Sequence, residues 1–129
     1  MKAHELYTRV QELGGLPSRA EGRRWATETL RALWHILPDA ESRRHFASQL
    51  PGTVKSALLA EPPRGLSMDR EAVIQHVAAA LGVHASDGAR ALAVVYRVLT
   101  EALSPGQIAE LRARIPPDLS AFLQEQAAA

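Results

Sequence analysis

Five histidines, a set of arginines and two tryptophans are the side chains of this 129-residue sequence with the most chemistry to offer. His4, His35, His45, His76 and His84 invite a metal or acid–base reading. A histidine-based metal site needs several ligands converging on one point, as in His-Glu-x-x-His on one helix. No such motif occurs, and no two of these histidines stand three or four apart on one helix. Glu41 and His45 are one helical turn apart, a spacing that predicts a surface ion pair rather than a ligand set. His84-Ala85-Ser86-Asp87 has the composition of a catalytic trio, but nucleophile, base and orienter must converge in space. Ser86 or Asp87 reads better as a helix cap. Gly14-Gly15 lacks the strand, the further glycines and the Gly-Lys-Ser/Thr ending of a phosphate loop. No catalytic, cofactor-binding or metal-ligating residue is therefore expected, and no enzyme. An enzyme would need at least two of His35, His45, Glu41 and Asp39 within hydrogen-bond reach in a deep pocket.

The arginines are more suggestive. Arg19, Arg23 and Arg24 fall near the start of one expected helix, and Arg43 and Arg44 lie on the next. Such a cluster can neutralise phosphates. Glu21, Glu28 and Glu41 are interleaved with it, and the turn between Arg24 and Glu28 suits an ion pair. Trp25 and Trp34 flank the apolar face of the same helix at about 100° per residue. They are expected to fill a seam inside the fold. The alternative is an anchor at a partner surface, where tryptophan is enriched. These seven residues, Arg19, Arg23, Arg24, Arg43, Arg44, Trp25 and Trp34, make up the candidate interaction surface.

Composition bounds the options. The chain carries no cysteine, which excludes disulfides, zinc–thiolate sites and cysteine nucleophiles. Its net charge is +1 and its aromatic content 5%, a poor match to the basic footprint of a nucleic-acid binder. Residues 1–65 carry ten Lys/Arg and seven Asp/Glu (+3), whereas residues 66–129 carry five and seven (−2). The N-terminus lacks the apolar core of a signal peptide. The most apolar stretch, Ala91 to Leu103, is interrupted by Arg97 and Glu101 and is too short to span a bilayer. A cytoplasmic protein without membrane contact is expected, and a chain of this length normally makes one domain.

The elements that must position these residues come in two similar sets. A first copy runs from about His4 to Leu59 and a second from about Arg70 to Gln124. Val10 matches Val77, Leu33 matches Leu99, and Leu50-Pro51 matches Ile115-Pro116, at offsets of 67, 66 and 65. Leu6, Val10 and Leu13 recur at helical spacing, as do Val73, Val77 and Leu81, and each run stops at glycine. Second helices follow, with Ala26, Leu30, Leu33 and Leu37 on one face in the first copy. Ser18 and Glu21 have capping-box spacing before it. Their counterparts Leu92, Tyr96, Leu99 and Leu103 are joined by Val94, Val95 and Val98, so this helix is expected at the centre of the fold. Third helices start at Pro38-Asp39 and at Ser104-Pro105-Gly106-Gln107 and end near proline. Short fourth helices bear Val54 and Leu58, or Leu119 and Leu123. Residues 60–67 form a turn-rich connector. The fold class is all-α: two similar four-helix halves packed through their long second helices into one compact domain.

Leu13-Gly14-Gly15-Leu16, Ala26 to Leu37 and Gln49-Leu50-Pro51 recur as Leu81-Gly82-Val83, Leu92 to Leu103 and Arg114-Ile115-Pro116. In this order the features resemble the bacterial domain family of unknown function 2267 (DUF2267), over nearly the whole chain. The resemblance implies a compact all-helical protein and brings no catalytic residues. Gly15, Trp25 and Trp34 depart from the usual pattern. The function expected is a non-enzymatic interaction module, regulatory or stress-associated, binding another protein or itself without cofactor or metal. Nucleic-acid binding through the Arg19–Arg24 and Arg43–Arg44 cluster is the competing reading.

Overall fold

Gly15 and Gly82 adopt the left-handed conformation, with φ of 61° and 70°, and each ends a twelve-residue helix. A side chain there would clash with its own backbone, so glycine is the natural stop. The computed structural model describes residues 1–62, 64 and 66–128, and these fold into eight helices with no strand among them. They are α1 (Ala3–Gly14), α2 (Arg19–Ile36), α3 (Ala40–Ser48), α4 (Gly52–Ala60), α5 (Arg70–Leu81), α6 (Ala85–Ala102), α7 (Pro105–Arg114) and α8 (Pro117–Ala128). Pro63 and Gly65, in the connector, lie outside the described residues. No helix among the described residues is long and apolar enough to cross a membrane.

Most boundaries follow from caps. Asp39 accepts the Ser42 amide at 2.7 Å, and Ser104 and Gln107 close a full capping box ahead of Pro105. Ser18 makes only the hydroxyl half of its box, accepting from the Glu21 amide at 3.2 Å, because the Glu21 carboxylate turns to Arg24. The α6 start differs from expectation. His84 is the N-cap and offers no side-chain bond, so Ser86 and Asp87 lie inside the first turn. There the Asp87 carboxylate complements the helix dipole instead of capping it.

One apolar core runs through the molecule. Leu6, Val10, Leu30, Leu33, Leu92, Leu99, Leu119 and Leu123 are fully buried within it. The central helix is α6, which packs on α1, α2, α5, α7 and α8. The two long helices touch, but α1 against α6 and α2 against α5 contribute at least as much. The expected contact between the long helices is present, and the crossed contacts of α1 with α6 and of α2 with α5 accompany it.

Two arginines mark that crossing. The Arg24 guanidinium donates to the Leu81 carbonyl at 3.3 Å, at the end of α5. The Arg90 guanidinium, 66 residues later, donates to the Gly14 carbonyl at the end of α1. Each therefore neutralises the unpaired carbonyls at the far set's first helix, where a cation also meets the negative end of the helix dipole. Residues 66–129 alone would lose Gly14 as acceptor and expose the α6 surface that α1 and α2 cover. That fragment is expected to lack cooperative unfolding when followed by circular dichroism in urea; a monomeric fragment with a sharp transition would contradict the interdependence.

Gly22 and Gly88 occupy matching places in α2 and α6 and let the preceding helix approach closely. A Cβ on Gly22 would sit 2.3 Å from the Tyr7 carbonyl oxygen, and one on Gly88 would sit 2.8 Å from that of Ile74. These glycines set the α1–α2 and α5–α6 spacing.

Candidate functional site

The five arginines of the candidate surface do not converge. Arg24 caps α5, and Arg43 donates to the Leu37 carbonyl at 3.0 Å, closing the end of α2. Arg23 lies over the Tyr7 ring, 5.9 Å from its centroid. Only Arg19 and Arg44 are exposed without such an engagement among the described residues. The two groups are also far apart: the thirteen residue steps of helix and cap from Arg24 to Leu37 advance about 20 Å. The expected Arg24–Glu28 pair does not form. Arg24 pairs with Glu21 at 3.7 Å, and Glu28 pairs with Arg31 at 2.9 Å.

Trp25 and Trp34 are interior, at 5% and 4% exposure. As members of the candidate surface they present no open face. Trp25 lies at the seam, with Arg90 of α6 stacked 5.4 Å from its ring centroid. Gly14 gives it room, since a Cβ there would stand 3.3 Å from the Trp25 ring. The second set reverses the sizes, with Leu81 at the place of Gly14 and Ala91 at the place of Trp25. Gly15 matches Gly82 as the left-handed helix stop, and Gly14 is the residue that differs between the two sets.

The histidines and acids are likewise dispersed. His35 is buried, its Nδ1 accepting the Arg64 amide at 3.3 Å and its Nε2 facing a Glu61 oxygen at 3.3 Å. Because Nδ1 accepts, the ring proton sits on Nε2 and donates to Glu61. Glu61 is held on its other oxygen by Arg31 at 2.7 Å, and the Leu66 amide donates to the His35 carbonyl at 2.9 Å. This network ties the connector to the end of α2. His45 pairs with Glu110 of α7 and not with Glu41. No two of His35, His45, Glu41 and Asp39 hydrogen-bond to one another among the described residues, and no group of three His, Asp or Glu there is placed to hold a metal ion.

Three concavities stand out among the described residues. A cleft of about 230 Å³ separates α3 from α7, with Phe46 and Leu111 lining it and two side-chain bridges across it, His45 to Glu110 and Arg114 to the Ser42 hydroxyl at 2.6 Å. Asp39 lies beside this cleft. Its carboxyl is held below the usual aspartate range, first by the Ser42 amide and hydroxyl and then by the charges of Arg114 and Arg43. A lowered folded value means stability that is present above the unfolded value of about 3.9 and lost as the pH falls through the folded one. Asp39→Asn keeps a capping oxygen but cannot titrate. Its urea midpoint is expected below wild type at neutral pH, with the gap closing in acid; a gap independent of pH would contradict the assignment.

The other two concavities are counterparts. One of about 370 Å³ lies along α2 and α4, lined by Tyr7, Arg23, Thr27, Arg31, Ala57 and Glu61 among others. One of about 480 Å³ lies along α6 and α8, lined by Leu13, Ala89, Ala93, Val94, Arg97, Phe122 and Gln126 among others. Arg23, Thr27 and Arg31 correspond to Ala89, Ala93 and Arg97, and Ala57 and Glu61 to Phe122 and Gln126. The first groove has Leu30, Val54 and Leu58 in its lining and is crossed by the Arg31–Glu61 pair. The second has no ion pair across it among the described residues, and there Val94 and Phe122 stand beside Arg90 and Arg97. Matching only apolar positions between the copies hides this contrast; comparing the outward-facing positions of the long helices reveals it.

A family model described as "Uncharacterized conserved protein (DUF2267)" matches residues 3–122. No curated protein matches the chain.

Proposed function

The chain belongs to the DUF2267 family, and on that premise we propose that it is a non-enzymatic, cytoplasmic interaction module that binds another protein. In this reading its two sets of four helices descend from one internal repeat and act as a single domain. The observation that supports it is the pair of matched, mainly apolar grooves, one crossed by the chain's own ion pair and one with no such pair across it among the described residues. Concave apolar surface beside a helix is the usual seat for an amphipathic segment of a partner. The arginines lend less to the nucleic-acid reading, since Arg24 and Arg43 close helix ends.

Retention on duplex DNA and single-stranded RNA at low salt separates the two readings. None is expected. Binding that falls steeply with salt and disappears in Arg19→Ala plus Arg44→Ala would move the function to nucleic acid. That double variant alters exposed side chains only, so a loss of binding would not be a loss of fold.

A further inference from the structure

Arg31 in the first groove and Arg97 in the second are matched residues with opposite circumstances. Arg31 is held between two carboxylates, Glu28 at 2.9 Å and Glu61 at 2.7 Å. At the matching positions around Arg97 stand Val94 and Gln126. Glu101, one turn along from Arg97, is taken by Arg9 of α1 at 2.7 Å. Arg97 is exposed and has no ion pair among the described residues. The neighbouring exchanges also remove charge and polar groups beside Arg97: Glu28 becomes Val94, Thr27 becomes Ala93, Arg23 becomes Ala89 and Ala57 becomes Phe122. Two cations stand near its margins. Arg90 lines it, and Arg70 lies over the Phe122 ring at 5.7 Å from the centroid.

We infer that the α6–α8 groove receives an amphipathic helix of a partner protein that places apolar side chains against Val94 and Phe122 and a carboxylate on Arg97. The incoming carboxylate supplies what Glu28 and Glu61 supply within the chain at the first groove. Charge complementarity decides the occupant: a groove with an apolar lining and unopposed arginine suits an acidic helix, and a basic one would meet Arg70, Arg90 and Arg97. An arginine presents a planar fork matched to a carboxylate, so the contact carries direction as well as charge.

This inference rests on the protein-binding reading above, and its test is arranged to separate the two. The probe is a displayed library of amphipathic helical peptides with a fixed leucine stripe and flanking positions varied among Glu, Gln, Lys and Ala. Selection on the full chain is expected to enrich Glu at one flanking position. The selected peptide should bind about tenfold or more weaker to Arg97→Gln, the loss of one charge-assisted contact. It should also be lost with Val94→Glu plus Gln126→Glu, which rebuilds the first groove's carboxylates on exposed or half-exposed positions, and circular dichroism of that variant should match wild type. Enrichment of Lys, or indifference of binders to both variants, overturns the groove assignment while leaving a protein-binding module in place. Failure of the library to yield any binder overturns the groove and withdraws support from the wider reading. Concentration-dependent self-association abolished by Val94→Glu would assign the groove to a second copy of this chain and overturn the partner assignment.

Discussion

Gly88→Ala is expected to destabilise the protein by about 1–3 kcal/mol, the cost typical of forcing extra atoms into a packed interior. The sign is the informative part. Alanine in a helix interior normally gains about 1 kcal/mol over glycine. Here the new Cβ would lie 2.7 Å from the Ala78 Cβ and 2.8 Å from the Ile74 carbonyl oxygen, so α5 and α6 must separate to admit it. Gly22→Ala meets backbone too, at 2.3 Å from the Tyr7 oxygen and 3.1 Å from the Gln11 nitrogen, and should cost at least as much. Gly52→Ala provides the control. It lies in the first turn of α4, where a Cβ would meet nothing within 4 Å, and should leave stability unchanged or raise it slightly. Urea midpoints of the three variants check the ranking; a gain in stability for Gly22→Ala or Gly88→Ala would contradict the close approach.

Trp25→Ala should cost about 3–5 kcal/mol, as for other large aromatic residues cut back in a core. The ring fills the space opened by Gly14 and covers the seam beneath Arg90. Gly14→Leu alone should also destabilise, because its Cβ already meets Leu16 at 3.1 Å and the Trp25 ring at 3.3 Å. Made together, the two changes copy the Leu81 and Ala91 arrangement of the second set. The double variant should therefore be more stable than the sum of the single losses predicts, by about 1 kcal/mol or more. Strict additivity in thermal or urea unfolding would show that Gly14 and Trp25 are not a compensating pair.

Much of this fold is legible in the residues because local chemistry and tertiary packing agree. Gly15 and Gly82 close helices wherever they sit, and Ser104 with Gln107, or Asp39 alone, satisfies helix-start amides within four residues of chain. The periodic leucines and valines of the two copies are buried, except Leu13 and Val94, which are half-buried. Surface pairings are not legible. Glu41–His45 and Arg24–Glu28 have good helical spacing, but that contact contributes only about 0.2–0.5 kcal/mol. Tertiary partners displace it readily, and Glu110 and Leu81 do so here. His35 gives no local sign of burial, since its partners Glu61 and Arg64 lie 26 and 29 residues on. The second groove escapes for another reason. It is defined by carboxylates that are missing around Arg97, and only the matched Arg31 site makes their absence visible.

The same contrast can be tested in the cell. A photo-crosslinking side chain placed at Ala93, in the second groove, or at Thr27, its counterpart in the groove crossed by the Arg31–Glu61 pair, samples two matched positions of one protein. A crosslink from Ala93 to an acidic helical segment of another protein is expected, and none from Thr27. Equal crosslinking from both positions, or protein crosslinks from neither, would contradict the claim that function resides where the two halves differ.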